Sequence, residues 1–161
     1  MTITFYSDNG FAPNEKYERA MLDFFDSIAV GEPIVFLVNY EFPFMHFAIE
    51  CIKKYKQARN DVKTFFISPY SEGSYDKETT EQLLCEFDKV FFTERTLFKS
   101  CVLRGQCNAH MMRDSDCTVA YIESEDSTAY LFCRNIYAYG KDIYSLTEDG
   151  VKKYIFKGYR I

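Results

Sequence analysis

The sequence alternates between short, continuous apolar runs and longer segments in which apolar residues recur every three or four positions. This alternation constrains the fold more than any other feature. The apolar runs predict six β-strands, at residues 2–6, 34–38, 63–68, 89–92, 117–122 and 142–145. The longer segments predict five amphipathic helices, at residues 14–28, 43–57, 77–87, 106–114 and 128–139. Strands that alternate with helices in this way predict an α/β fold.

Most of the predicted strands lack a regular alternation of apolar and polar residues, which indicates that both of their faces are buried. The run Ile34–Val38 has five apolar residues in succession, as strands inside a parallel sheet do. We therefore expect a Rossmann-like, doubly wound, mostly parallel sheet of about six strands with helices on both faces. The 161 residues fit a single α/β domain over 1–161, in which residues 150–161 form a short C-terminal strand or tail.

Charge and hydropathy argue against two classes of partner. The formal net charge is −5, whereas a site for a nucleic-acid backbone needs positive potential, so nucleic acid is not expected as the main partner. The sequence has neither a signal-peptide pattern nor an apolar run as long as a membrane span. We therefore expect a cytoplasmic protein that does not contact membranes.

The six cysteines have no Cys-x-x-Cys spacing, and they predict reduced thiols in the core. The alternative is a metal site built from Cys101, Cys107, His110 and Cys117, but this spacing fits no standard zinc pattern. We therefore expect neither a metal nor a cofactor.

Ligands of open α/β sheets bind at the carboxyl ends of the strands. Helix N-termini begin there, and their free N–H groups and positive dipole ends attract anions. In this sequence the corresponding loops are rich in polar and turn-forming residues, and they lie at 7–13, 39–42, 69–75, 93–106 and 123–127. A ligand site is therefore expected among these loops.

A series of short motifs follows in the second half of the chain. A predicted helix carries Asn108 and Met111 as Asn-x-x-Met and ends on Ser115 and Asp116, and the next strand leads to a turn that ends on Thr128. Together with the flanking strands, this order resembles the YpsA-like branch of the SLOG superfamily, whose members are Rossmann-like nucleotide-binding proteins. The resemblance covers roughly residues 60–146. It implies that these five residues line a nucleotide pocket.

The chain also departs from the pattern of this family. Cys107 stands where the family has an Arg before the Asn, although Arg104 is near enough to replace it. Asp126 and Ser127 occupy the positions of a Gly-Gly pair whose backbone would approach a phosphate. Glu41 adds a further negative charge in the loop after the second predicted strand, where like charge disfavours phosphate. These departures argue against ordinary nucleotide binding and leave open a ligand with less phosphate charge, or one contacted from the Arg104–Asn108 side.

These observations lead to one expected function. The chain is interpreted as a divergent SLOG-like module that senses or sequesters a nucleotide-like or nucleoside-like small molecule. Arg104 is the expected anion contact. The complete set of expected ligand-binding residues is Ser7, Asp8, Asn9, Arg104, Asn108, Met111, Ser115, Asp116, Asp126, Ser127 and Thr128. Whether the chain forms a homo-oligomer or has a protein partner stays open.

Two other functions stay open as alternatives. The first is a hydrolase or transferase that acts on the N-glycosidic bond of nucleotides. Enzymes that the resemblance implies place a Glu on the helix after the glycine-rich turn, whereas residues 129–132 are Ala, Tyr, Leu and Phe, which argues against catalysis. The second is a protein–protein interaction module with a decayed ligand site, in which an exposed aromatic patch includes Tyr40, Phe42, Phe44 or Phe98.

Overall fold

Seven strands of the described residues form one continuous sheet. The computed structural model describes residues 1–28, 31–93 and 100–156. The strands are β1 (Thr2–Ser7), β2 (Ile34–Val38), β3 (Val62–Ile67), β4 (Lys89–Phe91), β5 (Cys117–Tyr121), β6 (Asp142–Thr147) and β7 (Gly150–Lys153). The helices are α1 (Glu15–Ile28), α2 (Pro43–Lys56), α3 (Lys77–Glu86), α4 (Ser100–Asp114) and α5 (Thr128–Tyr137). A short 3₁₀ helix, Glu72–Ser74, precedes α3.

The strand order in the sheet is β4-β3-β2-β1-β5-β6-β7. The first six strands are parallel, and β7 pairs antiparallel with β6. The predicted Rossmann-like, mostly parallel α/β fold is therefore confirmed, and every predicted strand agrees with its observed bounds to within two residues. Residues 157–161 lie outside the described residues, and the assignment of the chain to one domain stays a prediction.

The direction in which the sheet grows reverses between β1 and β5. From β1 the chain adds β2, β3 and β4 on one side, and it then crosses back through α4 to place β5 on the other side of β1. The loops after β1 and β5 therefore diverge and leave a crevice at the carboxyl ends of these strands. In open α/β sheets this crevice is the usual place for a ligand.

Successive residues of β1 point to opposite faces of the sheet. Phe5 packs against Phe25 of α1, Phe36 of β2 and Phe44 of α2, with ring centroids 6.2, 5.9 and 6.3 Å away. The next residue, Tyr6, points to the other face. This places α1 and α2, which contact each other, on the face that Phe5 covers.

The second face is covered by α4 and α5, which also contact each other. Tyr6 stacks on Phe132 of α5 at a centroid distance of 4.6 Å. The helices therefore lie on both faces, as the doubly wound fold requires. No helix of the described ranges is long and apolar enough to cross a membrane.

Helix α4 begins earlier than the sequence predicts. It starts at Ser100 and not at residue 106, so part of the predicted 93–106 loop is helical, and residues 94–99 lie outside the described residues. Gly105 disfavours a helix by about 1 kcal/mol relative to Ala. Burial of Leu103, Cys107 and Met111 at helical spacing outweighs this cost. The longer helix is what brings Arg104 onto the same rigid element as Asn108.

The prediction that the cysteines are core thiols holds for four of them and is wrong for Cys85. Cys85 is exposed, because α3 turns Leu83 toward the core and its neighbours toward solvent. The buried ones are Cys51, Cys107, Cys117 and Cys133, while the side chain of Cys101 lies outside the described part. Burial raises the pKa of the Cys107 thiol to about 11, which keeps it protonated and unreactive at neutral pH.

Removal of the Phe5 ring should destabilise the protein more than removal of an exposed ring. Phe5→Ala deletes a side chain that is 1% exposed and leaves a cavity among three aromatic rings, so the free energy of unfolding should fall by about 3–5 kcal/mol. Phe91→Ala, at a ring that is 45% exposed, is the control and should change it by about 0.5 kcal/mol or less. Urea denaturation measures both, and equal losses would contradict this account of the core.

Candidate functional site

Side chains of α4 hold the loop that follows β2. The buried Asn39 amide donates from Nδ2 to Asn108 Oδ1 (2.8 Å) and accepts at Oδ1 from the backbone N–H of Glu41 (3.1 Å). Met111 Sδ lies 4.0 Å from Asn39 Nδ2, and Arg104 Nε lies 3.3 Å from Glu41 Oε2. Positions three and four apart share one face of a helix. One face of α4 therefore carries three predicted site residues to a single loop.

The Glu41 carboxylate is the most unusual charge in this region. Its side chain is only 11% exposed, while that of its partner Arg104 is 45% exposed. Burial raises the pKa of the Glu41 carboxyl above its ordinary value, and the Arg104 guanidinium opposes this effect without cancelling it. A buried carboxyl with a perturbed pKa beside a cleft is typical of a functional site.

A cavity of about 650 Å³ opens beside Glu41, between the loops that follow β1 and β2 and the first turn of α2. Its volume lies within the usual range for small-molecule sites. Half of its lining residues carry aromatic rings, and these are Tyr40, Phe42, His46 and Phe47. The carboxylates of Glu41 and Glu50 are its acidic groups, and Pro13 and Pro43 complete the lining. The cavity is therefore rich in aromatic rings and carries negative charge.

Tyr40 is held in a defined position at the wall of this cavity. Its ring stacks on His46 with centroids 5.0 Å apart and an interplanar angle of 8°, and it packs against Phe66 at 5.0 Å. Its hydroxyl donates to Glu86 Oε2 at 2.6 Å. Burial and the Glu86 carboxylate raise the pKa of Tyr40, so its hydroxyl stays protonated. A ring fixed on several sides loses little conformational entropy when a ligand binds.

The first turn of α5 is capped by two side chains of this chain. Ser127 Oγ accepts from the backbone N–H of Tyr130 (3.0 Å). Both carboxylate oxygens of Asp8, in the loop after β1, accept from the N–H of Ala129 (3.0 and 3.1 Å). These amides belong to the turn where an anion binds when a helix N-terminus serves as an anion site. Here, a carboxylate from the chain takes that position.

Six predicted site residues lie around this turn or in the loop facing it, and they are Ser7, Asp8, Asn9, Asp126, Ser127 and Thr128. Ser7 is buried and its Oγ donates to the backbone oxygen of Asp8 (2.8 Å). The side chains of Asn9, Asp126 and Thr128 are exposed. The structure thus brings this group together at the crevice between β1 and β5.

Ser115 and Asp116 are not brought together with the other predicted site residues. They follow α4 and lead into β5, at the amino ends of the strands. Asp116 Oδ2 accepts from the backbone N–H of Thr2 (2.6 Å), and the Ser115 carbonyl accepts from Lys141 Nζ (3.1 Å). Both residues connect α4 to the sheet on the edge opposite the cavity.

Sequence reasoning missed Asn39 and His46 and treated Glu41 only as an obstacle to phosphate. A usable signal existed, because residues 39–42 follow a strand and three of the four are polar or charged or carry a hydroxyl. The pairing of Asn39 with Asn108 had no signal, since these residues are 69 positions apart.

The expected aromatic patch is corrected at one position. Phe44 is fully buried against Phe5, because it faces the sheet from the first turn of α2. Tyr40 is 38% exposed, Phe42 is partly exposed, and Phe98 lies outside the described residues. Within the described ranges, no group of three or more His, Cys, Asp or Glu side chains could hold a metal ion.

Loss of the Asn108 amide should destabilise the fold and remove its hydrogen bond with Asn39. Asn108→Ala leaves the buried Asn39 amide without its 2.8 Å acceptor, so the free energy of unfolding should fall by about 1–3 kcal/mol. A double-mutant cycle with Asn39→Ala should give a coupling of about 0.5 kcal/mol or more by urea denaturation. Additive losses would show that the two amides do not interact.

Glu41→Gln should make stability less dependent on pH. A raised pKa in the folded state means that the carboxyl contributes most at acidic pH, and this contribution is lost as pH rises through the folded pKa. The variant should therefore be more stable than the original chain at pH 7, and its advantage should shrink as pH falls toward 4. Thermal melts from pH 4 to pH 8 measure this trend.

Glu50→Gln is the matched control, because Glu50 lines the same cavity but is exposed. Exposed carboxylates contribute little to stability, so this variant should not gain stability at neutral pH. A Glu41→Gln variant whose advantage grows as pH falls would contradict the expected sign.

The sequence matches no protein-family model and no curated protein. The structure is similar to the X-ray structure of DNA processing protein A (DprA) from Streptococcus pneumoniae, with a TM-score of 0.58 and 9% sequence identity. The match covers 89% of this chain and 49% of the DprA chain, so this chain spans about half the length of that protein. At this identity the likeness is one of fold, and it agrees with the Rossmann-like architecture that the sequence predicts.

Proposed function

We propose that this chain is a ligand-binding module that takes a nucleoside-like small molecule, with an aromatic ring, hydroxyl groups and little or no phosphate. The observation that carries the proposal is the aromatic cavity of about 650 Å³ beside Glu41. It lies at the carboxyl end of β2, on the edge of the sheet where α/β proteins of this architecture bind ligands. Sensing or sequestering such a compound requires no catalytic group.

The aromatic wall supports a flat ligand. Tyr40 is fixed by His46, by Phe66 and by its hydrogen bond to Glu86. Phe42 contacts the ring of Tyr6 at 5.2 Å, which anchors the cavity wall to the central strand. Nucleobases stack on such fixed rings and gain about 1–3 kcal/mol per base.

The charges of the cavity support a ligand that donates hydrogen bonds and carries little negative charge. The carboxylates of Glu41 and Glu50 are acceptors suited to ribose hydroxyls and exocyclic amino groups. The same carboxylates repel phosphate, more strongly at Glu41 because it is largely removed from water. The cation nearest to Glu41 in the described residues, Arg104, already pairs with it.

The predicted residues of α4 then act by positioning. Arg104 holds the Glu41 carboxylate, and Asn108 holds Asn39, which in turn accepts from the Glu41 backbone. Met111 packs beneath this pair of amides. The helix that carries the YpsA-like motif thus positions the loop after β2, which lines the cavity.

The same motif supports placing the chain as a divergent member of the SLOG superfamily, in its YpsA-like branch. DprA from Streptococcus pneumoniae is a DNA processing protein by name. For this chain the formal net charge of −5 and the acidic cavity favour a small molecule over DNA.

Thermal melts with the four common ribonucleosides and their 5′-monophosphates test the proposal. At least one nucleoside should raise the Tm by about 5–10 °C at roughly one hundred times its Kd. Its 5′-monophosphate should raise the Tm less, because phosphate adds charge near the cavity carboxylates. No shift with any nucleoside at millimolar concentration would refute the proposal.

Three tyrosine variants locate the binding site. Tyr40→Leu removes the stacking ring and should abolish the nucleoside shift, whereas Tyr40→Phe keeps the ring and loses only the Glu86 hydrogen bond, so most of the shift should remain. Tyr139→Leu is the matched control, because Tyr139 is exposed on the surface after α5 and does not line the cavity. A loss of binding in Tyr139→Leu as large as in Tyr40→Leu would place the ligand elsewhere.

A further inference from the structure

The loops on either side of the β1–β5 crevice both carry carboxylates. Asp8 lies in the loop after β1 and accepts from the first turn of α5 with both of its oxygens. Glu123 lies in the loop after β5, close enough to Gly10 that a Cβ built there would be 3.1 Å from Glu123 Oε1. Two negative side chains therefore stand in the crevice where the fold would place a ligand.

The Asp8 carboxylate is bound as an external anion would be bound. Both of its oxygens accept from the Ala129 N–H, at 3.0 and 3.1 Å, at the positive end of the α5 dipole. Within the described residues, no ion pair includes Asp8. The helix amide and dipole are thus what stabilise its charge.

The neighbouring amide of the same turn is also satisfied from within the chain. Ser127 Oγ accepts from the Tyr130 N–H at 3.0 Å. A phosphate at the start of α5 would need these two N–H groups, and it would meet the Asp8 charge at hydrogen-bond distance. Like charges at such a distance exclude each other, most strongly where water is partly removed.

We propose that Asp8 is a specificity-determining residue, whose carboxylate occupies the anion-binding position at the start of α5 and so excludes phosphate-bearing ligands from the β1–β5 crevice. This role differs from that of a ligand contact, because Asp8 takes the place of the ligand's anion. The proposal does not rest on the nucleoside cavity. Inorganic phosphate probes the start of α5, so the two proposals can fail independently.

Thermal melts in inorganic phosphate, with chloride at the same ionic strength as reference, test the role of Asp8. The original chain should show no phosphate-specific shift. Asp8→Asn removes the charge and is isosteric, so the fold is retained. Its neutral amide can turn away from the Ala129 N–H and donate from its NH2 group to a phosphate bound there, so phosphate should now raise the Tm. The expected rise is about 3–5 °C at roughly ten times the Kd. Asp8→Asn combined with Glu123→Gln should bind phosphate more tightly still.

Ser127→Ala is the matched control, because it removes the other side-chain cap of α5 and leaves the Asp8 carboxylate in place. It should lose stability without acquiring phosphate binding. The proposal is overturned if the original chain and Asp8→Asn respond equally to phosphate. It is also overturned if both Asp8 variants, folded by circular dichroism, show no phosphate-specific shift, or if Ser127→Ala gains the same shift.

Discussion

Strand β1 is hydrogen-bonded along both edges to parallel strands, to β2 on one side and to β5 on the other. A strand in this position has no edge and no face in water, and every residue from 3 to 7 is buried. Phe5 anchors the α1–α2 layer, and Tyr6 anchors α5. Because the sheet reverses its direction of growth at this strand, β1 also determines where the crevice lies.

Three carboxylates near the carboxyl edge of the sheet are stabilised by contacts with other parts of the chain. Asp8 is held by the Ala129 N–H of α5, Glu41 by Arg104, and Glu86 by the hydroxyl of Tyr40 and by Lys53. Each of these three carboxylates has a partner within the chain, and Arg104 offsets only part of the cost of burying Glu41. This edge has little capacity for an external anion, and its aromatic surface is the part that the proposed function uses. Under the proposed function, shape and stacking would govern recognition more than charge attraction does.

The predicted site residues fall at two opposite edges of the sheet for a geometric reason. Asn108 and Asp116 belong to one contiguous motif, yet they end at opposite edges of the sheet. Helix α4 runs antiparallel to the strands and rises about 1.5 Å per residue, so the six positions from Asn108 to its end at Asp114 carry the chain by roughly 9 Å toward the amino ends. Asn108 therefore reaches the loop after β2, while Asp116 contacts the first residues of β1.

The sequence by itself determined the strands, four of the five helices to within two residues, and the parallel α/β class, because burial on both faces demands apolar runs that are visible locally. Only the tertiary structure decided that Asn39 pairs with Asn108, that Arg104 pairs with Glu41, and that Asp8 caps α5 across 121 positions. These contacts depend on how distant elements are juxtaposed, and no local periodicity encodes which polar side chain will meet which helix terminus.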